Sequence, residues 1–286
     1  MKNNIKIIML VALGFVACDN NNDDDSAVVE VPVTPGSAVF TNYVALGDSF
    51  AAGYSDGALF ITGQEGAYVN IMAQQFMAAG GGDFKTPFTN DNNGGLLLQG
   101  NVIAGTRVYF NGAGPVAIAD LPTTEITNHL SGSFNNLGVP GAKSYHLVAP
   151  GYGNLAGVPV GKANPYYARF ATSPSTTILA DALMQNPTFF SLFIGGNDVL
   201  GFATSGGDGV NQTGNFDPST YGASDITDPN VFANVYNGLA QQLTANGAKG
   251  VVANLPYVTA LPYFTTVPYT PLRLTAEVAG MLITGY

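Results

Sequence analysis

The chain has 286 residues, 46% of them hydrophobic and only 10% charged, which is enough to bury a sizeable core in one domain. Its formal net charge of -10 repels phosphate backbones, so no nucleic-acid partner is expected. A single cysteine and two histidines without ligand spacing offer no intrachain disulfide, no metal centre and no implied cofactor.

In chain order, Lys2 and Lys6 precede an apolar run from Ile7 to Ala17. The run is too short to span a bilayer as a mature helix, and residues 1–17 read as a signal peptide. It ends in "FVAC", which resembles the lipobox of bacterial lipoproteins, with Phe15 where Leu is usual. The resemblance implies lipidation of Cys18 and export to the bacterial cell envelope, with anchoring in a membrane, the outer one by expectation. A plain secretory signal with an incidental cysteine is the alternative. Residues 18–39, with Asp19, Asp23, Asp24 and Asp25, read as a disordered acidic tether, and the folded domain is expected over 40–286.

The domain opens with "YVAL" (43–46), a short buried strand that runs into Gly47, Asp48 and Ser49. Residues 67–82 carry Val69, Met72, Phe76 and Met77 at helical spacing and stop in glycines. A Gly- and Asn-rich stretch over about 80–130 reads as an irregular insertion, with a hairpin expected at 101–110. Ile178, Leu179, Ala182 and Leu183 share one helical face in 178–187. The apolar run "TFFSLFIGGND" (188–198) reads as a strand buried on both faces. Asp228-Pro229 opens a helix whose stripe is Val231, Phe232, Val235, Tyr236, Leu239 and Leu243, ended by Asn246-Gly247. "GVVANLP" (250–256) is the next strand. This alternation of strand and helix predicts a parallel sheet covered on both faces, with functional residues at the carboxyl ends of its strands. Ser49 stands at such an end.

A serine hydroxyl attacks a carbonyl only with a base to take its proton and donors to hold the oxyanion. The Gly-x-Ser-x-Gly elbow is not met, since Ala51 stands where its second glycine belongs. Instead "GDSF" (47–50) resembles the first block of the GDSL, or SGNH, hydrolases. "NNLGVPGA" (135–142) resembles their second block in Asn136, Gly138 and Gly141. "IGGND" (194–198) resembles their third in Gly195, Asn197 and Asp198, and "NLPYVTALPYF" (254–264) resembles a later Asn-Leu-Pro segment. The resemblance covers about residues 40–264. It implies a three-layer α/β/α sandwich around a central parallel sheet. Ser49 would be the nucleophile, and Ser49 N–H, Gly141 N–H and the Asn197 amide the oxyanion hole. Gly47, Asp48 and Asp198 would hold the loops in place.

The family's Asp-x-x-His block has no counterpart: the residues three before His129 and His146 are Ile126 and Lys143. The segment "LTAEVAGMLITGY" (274–286) reads as the start of a helix. The domain is therefore expected to be incomplete, with its Asp-His pair supplied by residues beyond those given, and this chain alone is expected to be inactive. The implied activity is hydrolysis of a small-molecule, glycan or lipid ester through an acyl-enzyme on Ser49. The alternative is a non-catalytic surface lipoprotein that binds glycan or lipid in the same cleft.

Overall fold

The computed structural model describes residues 33–266 and 274–284; the expected signal peptide and Cys18 lie outside them. The compact unit begins at Pro35. Ahead of the expected boundary at 40, Ala38 packs with Phe40 against a buried cluster.

The elements follow in chain order. Strand β1 (Tyr43–Gly47) leads into the short helix α1 (Ser49–Ala52), then α2 (Ile61–Glu65) and α3 (Tyr68–Met77). Four short strands come next: β2 (Leu96–Leu98), β3 (Asn101–Ala104), β4 (Val108–Phe110) and β5 (Pro115–Ala117). Then come β6 (Asn136–Gly138), α4 (Pro165–Ala168), α5 (Ile178–Leu183), β7 (Phe189–Phe193) and α6 (Asn197–Thr204). The chain continues through α7 (Pro229–Thr244), β8 (Lys249–Val252), α8 (Pro262–Thr265) and α9 (Ala276–Thr284).

The centre is a parallel four-stranded sheet in the order β6-β1-β7-β8. Side chains alternate along each strand, so each face has its own core. Val44, Leu46, Phe190 and Leu192 point to one face, where they meet Ile178, Leu179 and Ala182 of α5 and Leu239 and Leu243 of α7. Tyr43, Ala45 and Phe189 point to the other, against Val69 and Ala73 of α3. Rings tighten this second face: Phe40 stacks on Phe76 at 4.1 Å and Tyr43 on Phe84 at 5.0 Å. Helices thus cover both faces of a parallel sheet, as the alternation of elements predicts.

The helix ends follow from their caps. Thr177 accepts the N–H of Ala180 at the start of α5, and Asp228 accepts those of Asn230 and Val231 at the start of α7. Asn186 and Gly247 adopt positive φ just past the two helices and turn the chain toward β7 and β8.

Three expectations need correction. Met77 does not share the buried stripe of α3: it is exposed at the last turn, while the small Ala73 takes the inward position. The stretch 101–110 is not one hairpin. Its first half pairs back with β2 and its second half forward with β5. The reason lies in the tie points of its middle. The N–H and Nε of Arg107 donate to the carbonyls of Asn93 and Asn92, and the N–H of Val108 donates to Asp56. These hold 105–108 open and leave the tight turns to Gln99-Gly100 and Asn111–Gly114. The insertion is accordingly less irregular than expected.

Candidate active site

The parallel register aligns Gly138, Gly47 and Phe193 across the carboxyl ends of β6, β1 and β7. Ser49 stands two residues past that line, Gly141 three and Asn197 four. The three blocks therefore emerge side by side from adjacent strands, where a ligand of such a sheet binds.

Asp48 makes the turn from β1 into α1. Its Oδ1 accepts the N–H of Phe50 at 3.1 Å, and its carbonyl accepts that of Ala52 at 3.0 Å. Ser49 is half-buried at the first position of α1, and no described residue hydrogen-bonds its hydroxyl. Asn136, fully buried, fastens α1 from below: its Nδ2 donates to the Ala51 carbonyl at 2.9 Å while its Oδ1 accepts the Gly138 N–H at 2.9 Å. A β-carbon on Gly138 would lie 2.3 Å from the Ala52 nitrogen, so only glycine lets α1 sit this close to β6.

The second loop turns at Gly141, whose φ of 78° favours glycine. Asn197, the first residue of α6, donates Nδ2 to the carbonyl of Ala142 at 2.9 Å. An amide nitrogen carries two hydrogens, so one anchors the second loop and the other remains for a ligand oxygen. The next residue adds a second tie. Asp198 accepts the Ser144 N–H at 2.8 Å and the Ser144 hydroxyl at 2.7 Å, all buried. The first and third loops also touch: Asp48 Oδ2 is 3.4 Å from where a β-carbon of Gly196 would stand. Asp48 and Asp198 are thus hydrogen-bonded within and between these loops.

These carboxylates are costly to ionise. Burial pushes Asp48 up to about 6, helped by the nearby charge of Asp198 and opposed by its bond from Phe50. Burial also raises Asp198, against the pull of its Ser144 bonds and of Lys143. Lys143, itself buried and lowered by that burial, donates Nζ to the carbonyls of Asp225 at 2.8 Å and Gly222 at 3.3 Å. Residues 143–144 and 225 were not singled out in the sequence, where they show no motif. Their one signal is a Lys and a Ser set directly after an apolar turn.

Neither histidine is engaged with Ser49. His129 Nε2 lies 3.0 Å from the Ala171 carbonyl. His146 Nδ1 accepts the N–H of Lys143 at 3.0 Å, which leaves its proton on Nε2, and its ring stacks on Tyr152 at 4.2 Å. Burial and the charge of Lys143 lower His146 to about 4, so the ring is neutral at ordinary pH.

The rim beside Ser49 is aromatic. Phe50, 61% exposed, stacks on Phe193 at 5.5 Å, and Tyr68 meets Phe193 edge-on. Among the described residues no cluster of His, Cys, Asp or Glu could hold a metal ion. Comparison with protein-family models, curated proteins and solved structures finds no match to this chain.

Proposed function

We propose that this chain carries the nucleophile and oxyanion half of a serine ester hydrolase of the GDSL/SGNH kind, exported as a lipoprotein through Cys18. The observation that carries the reading is the meeting of the three sequence blocks at neighbouring strand ends, with Asn197 bonded to the residue after Gly141. Ser49 Oγ would attack the ester carbonyl as a base takes its proton, and collapse of the adduct would break the ester C–O bond, expel the alcohol and leave an acyl-Ser49. The Ser49 and Gly141 N–H groups and the free Asn197 amide hydrogen would hold the oxyanion, and water would then release the acid. The exposed Phe50 offers an apolar face for the acyl or alcohol part of the substrate. The proton acceptor for Ser49 is not among the described residues, since both histidines are committed elsewhere.

That last point favours one second reading, a module that binds an ester-bearing glycan or lipid in the same cleft without cleaving it. Hydrolysis of a short aryl ester, with imidazole added as an external base, separates the two. Imidazole-dependent turnover that disappears in Ser49→Ala supports the hydrolase. Retained binding of the ester with no turnover supports the module.

A further inference from the structure

Between α3 and the segment 82–88 runs a groove of about 220 Å³, large enough for a small organic molecule. Hydrogen bonds set the direction of that segment. The Gly81 N–H donates to the Phe76 carbonyl at 2.8 Å, which starts it at the last turn of α3. The Thr86 hydroxyl donates to Asn70 Oδ1 at 2.8 Å, and Gln64 Nε2 donates to the Pro87 carbonyl at 3.1 Å, which bring it back to the first turn. The segment therefore runs antiparallel to the helix, and the groove follows the helix axis. Asn70 and Met77 both stand on its wall, a rise of about 10 Å along the helix.

This direction sorts the lining residues. Asp83 stands toward the end that holds Met77, and Glu65 toward the end that holds Phe88, with Ala73 and Phe84 between. Met77 is 65% exposed and Phe88 39%, so apolar surface lies open along the groove. Among the described residues neither the Glu65 nor the Asp83 carboxylate has a hydrogen-bond or ion-pair partner. No lysine, arginine or histidine lines the groove, and Lys85 of the same segment is not part of its wall. An anion would be repelled here. One metal ion could not reach carboxylates at opposite ends, and a neutral apolar molecule would use neither. An alkyl chain with an ammonium group at each end uses the apolar middle and both charges.

We infer that this groove binds a linear aliphatic diamine, with its methylenes on Ala73, Phe84 and Met77 and its two ammonium groups on Glu65 and Asp83. The net charge of -10 raises the local concentration of such a dication. Both carboxylates face solvent, so each ion pair is weak alone, and selectivity comes from engaging the two together.

Calorimetric titration of the wild-type protein at low salt with hexamethylenediamine tests this, against hexylamine and hexanediol. The diamine is expected to saturate one site and to bind tighter than hexylamine, with hexanediol weakest. Glu65→Gln and Asp83→Asn should each weaken the diamine by about two- to fivefold and erase its advantage over hexylamine. Neither side chain has a partner in the fold, so both variants should fold. Asp208→Asn, which removes an exposed carboxylate outside the groove, should leave the affinity unchanged. No saturable site, or a diamine that binds no tighter than hexylamine, overturns the proposal. So does an equal loss in Asp208→Asn, which would mark diffuse attraction to an acidic chain.

Discussion

Asn197 Nδ2 donates to the carbonyl of Ala142 at 2.9 Å, so the side chain that would hold an oxyanion also fixes the loop that presents Gly141. Under the hydrolase reading, Asn197→Ala removes a donor and loosens a second one. Imidazole-dependent turnover of an aryl ester should fall by about 10²–10³ or more, with folding nearly unchanged by circular dichroism. An Asn197→Ala protein with undiminished turnover contradicts the assigned role.

Gly141 and Gly138 should respond differently to alanine. At Gly141 a β-carbon meets open space, and only the positive φ resists it, so Gly141→Ala should cost about 1–2 kcal/mol. At Gly138 the β-carbon would collide with the backbone of α1, and Gly138→Ala should disrupt the Ser49 turn and the fold with it. Urea unfolding of both variants checks the order.

Asp198 satisfies two donors of the buried Ser144. Asp198→Ala leaves both without a partner, at about 1–3 kcal/mol each. A total loss of about 2–6 kcal/mol is expected in urea titration, with Asp198→Asn milder because its carbonyl still accepts one bond.

Asp48 sets a pH signature. Its folded pKa of about 6 lies above the ordinary 3.8, so the folded state holds an extra proton between those values. That stabilisation is full below about pH 4 and is lost as pH rises through 6. His146 acts in the opposite sense. Its folded value of about 4 lies below the usual 6.5, so it withdraws stability as pH falls from 6.5 toward 4. Asp48→Asn should therefore remove one of the two raised carboxylates that oppose the His146 trend, so stability should fall more steeply on acidification than in the wild type. A wild-type curve unaltered by Asp48→Asn would show that Asp48 ionises freely.

Much of the frame was legible because its signals are local. The runs 43–46 and 188–193, the Asp228-Pro229 start and the Gly247 stop each carry their own pattern, and their alternation implies a parallel sheet. β6 was not legible as a strand. Asn136-Leu137-Gly138 has no apolar run, and it is a strand because it pairs beside β1. For the same reason the order β6-β1-β7-β8 does not follow from the sequence. The three site blocks were legible as short motifs of Gly, Asn, Asp and Ser. The ties that join them were not, since Ser144 and Lys143 meet Asp198, and Lys143 meets Asp225, only through long-range packing.

The most direct measurement is the mass of the protein after treatment with an aryl fluorophosphonate, which forms a covalent bond only with an activated serine. With imidazole present, a single adduct on the peptide that contains Ser49 is expected, with none in Ser49→Ala. An adduct on another residue, or no adduct with the protein folded and imidazole in excess, contradicts Ser49 as a nucleophile.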